Sequence, residues 1–230
     1  MRSIILPRLA TALLGAVLVA GCSNAVNDTF VGAPALIKVT GQTDISALVA
    51  TDAGPYVFTV VDTAGAGVAG VTVTFTIVGP ATLIQTSAVT NQGGSVLTSI
   101  HFSQTAGSVA ITATAAGIAT PAVVHTSSYA APASKLTAAG GQGQVALRGS
   151  ALADPLAVLV TDQYNNPVST ILVTWVSSAG TLGTLSARTG NDGRVSTPYT
   201  LPATAGIQTI TASATLNGVS NTVTFTATAN

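Results

Sequence analysis

Cysteine occurs once in this chain of 230 residues, at Cys22, and glutamate does not occur at all. A single thiol excludes an internal disulfide and a zinc site built on several cysteines. Charged residues make up 6% of the chain, aromatic residues 4%, and histidine is present only as His101 and His125. Beyond residue 21 five Lys and Arg face seven Asp, so the net charge there is about −2 with histidine neutral. No basic patch is available to neutralise phosphates, which argues against nucleic acid as a partner. There is no G-x-S-x-G elbow, no H-E-x-x-H and no phosphate-cradling glycine loop. The chain therefore reads as non-catalytic, with no cofactor and no metal.

Long apolar runs are also scarce. The longest, Leu9–Ala20, follows Arg2 and Arg8 and has 12 residues, too short to span a bilayer but suited to the core of a secretory signal. It runs into Leu18-Val19-Ala20-Gly21-Cys22, which resembles the lipobox of bacterial lipoproteins. That resemblance implies cleavage before Cys22 and a diacylglycerol on its thiol, placing the chain at the bacterial cell envelope, on the outer membrane or cell surface. Residues 1–21 are then the signal peptide and 22–34 the lipidated cysteine with a polar spacer.

What is abundant is Thr, about one residue in six, together with Val and Ile, and this composition favours strands. No segment carries an apolar stripe of helical period, so the fold class is all-β. Leu156–Val176 repeats the pattern of Tyr56–Thr76 at an offset of 100, with Asp62 and Asp162 closing one strand and Phe75 and Trp175 in the next. Thr90–Val96 matches Thr189–Val195, and Ala106–Ala113 matches Ala205–Ala212, both at 99; Val123 is aligned with Val223. Two repeats follow, residues 35–129 and 134–230, with a joint at 130–133.

Each repeat reads as seven or eight short strands. In the first they are expected near Ala35–Thr40, Ile45–Ala50, Tyr56–Val61, Val71–Ile77, Leu83–Val89, Ser95–Phe102, Ser108–Ala115 and Ala122–Ser127. Val71, Val73, Phe75 and Ile77 alternate with Thr72, Thr74 and Thr76, the mark of a half-buried strand. Units of this size and pattern predict two tandem immunoglobulin-like β-sandwiches, with Phe75 and Trp175 as buried core aromatics.

The run V-x-D-x-x-x-N-P-V before an alternating strand, then T-x-x-x-G-x-V, then A-G-x-x-x-I-T-A, resembles the bacterial Ig-like group 1 (Big-1) domain. Such domains build the extracellular rods of intimin- and invasin-type adhesins. The likeness covers both repeats; the first departs from it where Ala64-Gly65-Ala66-Gly67 replaces Tyr164-Asn165-Asn166-Pro167. The resemblance implies a surface structural or adhesive role. Two readings stay open: a lipid-anchored spacer or display rod, and an adhesin or carbohydrate- or protein-binding module with an extracellular protein or glycan partner.

The alternation turns His101 to solvent and, through its alignment with Phe225, His125 inward, so the pair cannot share an ion. Asp62, Asp162 and Asp192 sit where a carboxylate caps a turn. The remaining candidates lie at the joint. In an Ig sandwich the loops at the end where the chain arrives are B–C, D–E and F–G, and in the second repeat these carry Tyr164, Asn165, Asn166, Asn191, Asp192 and Asn217. With Tyr129 and Pro132 they are expected to gather at the joint and stiffen it.

Overall fold

The structure, a computed structural model, describes residues 32–230. The signal sequence and Cys22 lie outside the described residues. Nineteen strands and no helix are found among the described residues. The first repeat holds β1 (Leu36–Val39), β2 (Ala47–Leu48), β3 (Asp52–Val61), β4 (Thr72–Val78), β5 (Ala81–Leu83), β6 (Ser87–Val89), β7 (Ser95–Phe102), β8 (Gly107–Ala115) and β9 (Ala122–Tyr129). The second holds β10 (Lys135–Gly140), β11 (Gln144–Ala146), β12 (Leu156–Thr161), β13 (Leu172–Ser177), β14 (Thr181–Leu182), β15 (Ser186–Arg188), β16 (Arg194–Thr197), β17 (Tyr199–Thr200), β18 (Gly206–Leu216) and β19 (Val219–Ala229).

Sheets β1-β3-β7-β5 and β2-β9-β8-β4-β6 face each other in the first sandwich. In the second, β11-β19-β18-β13-β15 faces the smaller sheets β10-β12-β16 and β14-β17. The division of β16 from β17 falls at Pro198, which has no N–H to give to a ladder; β7 runs unbroken through the equivalent Ser99. Each sandwich closes over its own apolar core. One is centred on Tyr56, Phe58, Phe75, Ile100 and Ile111, the other on Leu156, Trp175, Tyr199, Ile210 and Phe225.

The cores solve one packing problem in two ways. Phe75 packs on Phe58, ring centroids 5.5 Å apart, whereas Trp175 packs on Phe225 at 5.7 Å. Val158 occupies the Phe58 position in the second sandwich, and Val124 occupies the Phe225 position in the first. The second aromatic has moved from one sheet to the other, which conserves the volume between them.

The strand registers correct two expectations. Ala113 pairs with Ala122 while Ala212 pairs with Val223, so Ala122, not Val123, stands where Val223 does, and Val124, not His125, where Phe225 does. Ala113 and its partner are 9 positions apart and Ala212 and its partner 11, so the first repeat is two residues shorter here and the offset becomes 101, one more than expected. His125 consequently faces outward, not into the core. The segment Leu83–Val89 is also two strands rather than one: β5 pairs with β7, and β6 with β4 in the opposite sheet. The buried Thr98 hydroxyl fixes this crossing by donating to the Gln85 carbonyl at 2.9 Å, and Thr197 does the same to Thr184 at 2.9 Å.

Candidate functional site

The sequence elements that recur most clearly, Asp62 and Asp162, do more than cap a turn. Each ends the strand that leads into the B–C connection, β3 or β12, and is almost wholly buried. Asp62 Oδ1 accepts the amides of Ala64 and Ala66, both at 2.9 Å, and Asp162 Oδ1 accepts those of Tyr164 and Asn166, both at 2.8 Å. The second oxygen reaches further along the chain. Asp62 Oδ2 accepts the Gly32 amide at 2.9 Å, and Asp162 Oδ2 accepts the Ala131 amide at 2.9 Å. One carboxylate thus holds both its own turn and the segment that leads into the sandwich.

Although their sequences differ, the two turns have one backbone form. Asp62 N–H donates to Ala66 O and Asp162 N–H to Asn166 O. Gly65 and Asn165 both take a positive φ, 87° and 72°. Asparagine tolerates this left-handed conformation better than other side-chain-bearing residues.

The side chain at the next position separates the repeats. Ala66 has nothing to offer, whereas Asn166 is buried and fully engaged. Its Nδ2 donates to the Gln104 carbonyl at 2.7 Å and to Asp162 Oδ2 at 2.9 Å, and its Oδ1 accepts the Ala106 amide at 2.8 Å. Gln104 and Ala106 belong to the β7–β8 turn of the first sandwich, so a single amide binds across the joint as a peptide group would. Burial alone would raise the Asp162 pKa. The Asn166 side-chain amide and then the amides of Asn166, Ala131 and Tyr164 outweigh it, so the carboxyl sits below its ordinary value.

Of the eight residues expected at the joint, Asn166 makes these hydrogen bonds to the first sandwich. Asn165 is exposed and accepts Lys135 Nζ at 2.8 Å; the same ammonium donates to the Gln163 carbonyl at 3.2 Å. Tyr164 is half-buried, while Tyr129, Pro132, Asn191, Asp192 and Asn217 are exposed. Asp192 Oδ1 accepts the Arg194 amide at 3.0 Å, and Asn217 forms the β18–β19 turn with φ 49°. The sequence marks Asp162 only as a turn residue; its grip on Ala131 arises from the fold. His101 lies on an outer face with its Nδ1 2.6 Å from Asp52 Oδ1. No cluster of three or more metal-ligating side chains is found among the described residues.

The fold, the paired sandwiches and the bonded joint can be set beside known structures. Among the solved structures that the chain resembles are bacterial adhesins of the intimin and invasin kind, and a surface-layer protein, SbsC. InvD of Yersinia pseudotuberculosis aligns with a TM-score of 0.53 at 14% identity, over 80% of this chain and 55% of that one. FdeC, an Escherichia coli adhesin, aligns with a TM-score of 0.44 at 17% identity, over 84% of this chain and 63% of that one. Invasin, described as a bacterial integrin-binding protein, gives 0.41 at 23% identity, over 85% and 39%. At such identities the likeness is one of fold. The chain spans about half the length of the InvD structure it matches. No family model matches the chain, and no curated protein matches its sequence.

Proposed function

We propose that this is a non-catalytic, lipid-anchored protein of the bacterial cell envelope whose two sandwiches act as a spacer or display element. The observation that carries the reading is the joint. Asn166 and Asp162 tie the first sandwich, the connecting segment and the second sandwich into one hydrogen-bonded unit. Domain joints in one chain ordinarily permit motion, and a joint closed by buried side-chain bonds serves a protein whose task is to hold distance and direction. Asn166→Ala removes the side-chain bonds to Gln104, Ala106 and Asp162 and leaves the Asp162 turn and its bond to Ala131 intact. The expected result in small-angle scattering is a broader distribution of maximum dimensions for the variant, with unchanged strand content by circular dichroism. Identical distributions for the two proteins would mean that Asn166 does not restrain the joint.

The anchor rests on Leu18–Cys22. Mature protein should begin at Cys22 and partition with membranes, because each buried CH₂ of its acyl chains contributes about 0.8 kcal/mol. Cys22→Ala is expected to abolish lipid attachment and to move the protein to the soluble fraction. Mass spectrometry of the wild type showing an unmodified Cys22 thiol would remove this part of the reading. A second reading, a carbohydrate- or protein-binding module, is favoured by a concave, hydroxyl-lined surface on the outer face of the second sandwich.

A further inference from the structure

The outer face of β15-β13-β18-β19 holds a depression of about 320 Å³. Leu172 pairs with Arg188 across β13 and β15, Thr174 with Ser213 across β13 and β18, and Thr215 with Ser220 across β18 and β19. These residues line it, and Thr170 closes its edge. The Thr174 and Ser213 hydroxyls bond each other at 2.8 Å. Thr215 and Ser220 are exposed on the same floor.

Comparison within the chain shows what is particular to this face. Gly70 N–H donates to Thr90 O just as Thr170 N–H donates to Thr189 O, so the two are equivalent. Thr72 pairs with Val89 as Leu172 pairs with Arg188. The second sandwich has therefore put Thr, Leu and Arg where the first has Gly, Thr and Val. The exchange at Thr170 opposes local preference. Its φ is 64°, close to the 75° of Gly70, and a β-branched residue in this region is strained where glycine is not. Arg188 is bound to that strained residue: Nη1 donates to the Thr170 carbonyl at 2.6 Å. This fixes the guanidinium at the rim while most of its five N–H donors still face the depression and solvent. No carboxylate among the described residues lies within ion-pair distance of Arg188.

We infer that this face binds an acidic saccharide. The Arg188 fork would take the carboxylate or sulfate of one sugar unit, Thr215 and Ser220 would bond its hydroxyls, and the half-exposed Leu172 would lie against its C–H face. One cation among hydroxyls suits an isolated anionic group on a polyol; a polyphosphate chain would call for several cations. The inference adds a ligand to the spacer reading and does not depend on the anchor or on the stiffness of the joint.

The test is a heteronuclear NMR titration of the soluble chain from Ser23 onward with tetragalacturonic acid, a sulfated tetrasaccharide, neutral maltotetraose and sodium acetate. The expected result is saturable movement of the Leu172, Arg188, Thr215 and Ser220 amides with one of the two acidic probes, which also identifies carboxylate or sulfate as the preferred group. Maltotetraose and acetate should bind at least about tenfold more weakly, because each offers half of the recognised chemistry. Arg188→Val, the residue of the first sandwich, should reduce affinity by at least about tenfold without altering the thermal midpoint. Thr170→Gly should raise the midpoint while weakening binding. The inference is overturned if neither acidic probe moves these amides, if acetate matches the acidic probe, or if Arg188→Val binds as the wild type does.

Discussion

Trp175→Ala is expected to unfold the second sandwich and leave the first intact. The indole is 2% exposed, packs on Phe225, and sits in a core that shares no residue with that of the first sandwich. Removing such a side chain costs about 3–5 kcal/mol, through lost burial and the cavity left behind. The whole stability of a domain this size starts at about 5 kcal/mol, and at that end of the range little would remain. Limited proteolysis read by mass spectrometry should release peptides from residues 134–230 while residues 35–129 resist. Equal loss of protection in both halves would show a single cooperative unit instead. Trp175→Phe sharpens the test. The buried indole Nε1 has no hydrogen-bond partner, and the first sandwich carries Phe75 at this position. Phenylalanine loses volume but also removes an unsatisfied donor, so its cost should stay below about 1.5 kcal/mol.

That result would turn on residues legible from the chain alone. Val71, Val73 and Phe75 announced a half-buried strand by alternation, and Phe75 and Trp175 were marked as core by their place in the repeat. The pattern failed where two sheets exchange material. Leu83–Val89 has strand composition throughout, and its division depends on Thr98, which is remote in sequence and grips the Gln85 carbonyl. The transfer of an aromatic from Phe58 to Phe225 is likewise invisible to alignment by offset, because each strand taken singly looks ordinary. It shows only when the facing sheets are counted together, and His125 faces outward because the β8–β9 connection shifts the strand register.

The bonding at the joint is not legible in composition. Of the asparagines and tyrosines expected there, Asn166 reaches across with hydrogen bonds. Its partners are the backbone groups of Gln104 and Ala106, which any residue type could supply, so no sequence signal pointed to them. The stronger signal was the recurrence of Asp at 62 and 162. Its local role in a turn was evident, while the second oxygen's reach to Gly32 or Ala131 depended on where the fold brings the chain back.

Asp162 is therefore where a single substitution should loosen turn and joint together. Asp162→Ala removes the acceptor of the Ala131, Tyr164 and Asn166 amides and of Asn166 Nδ2 at once. Unsatisfied buried donors cost about 1–3 kcal/mol each, and water can reach some of these, so a loss of about 3 kcal/mol is expected. Asp162→Asn separates the two duties: its remaining oxygen can keep the Tyr164 and Asn166 amides, while its NH₂ opposes the Ala131 N–H. The turn should persist and the Ala131 amide lose its protection in hydrogen exchange. Acid provides the same cut without mutation. The Asp162 pKa is lowered in the folded protein, so its stabilisation is complete above the unfolded carboxylate value of about 3.9 and is lost as pH falls through the folded value. The Ala131 amide resonance should hold its position from neutral pH down to about 4 and move only below that. Asp62 serves as the internal control, because its pKa is also lowered, first by the Gly32 amide, but it holds no second sandwich. Asp62→Asn should free Gly32 and leave Ala131 protected. If Ala131 loses protection in that variant too, or if its resonance titrates near neutral pH, the joint is held by something other than the Asp162 carboxylate.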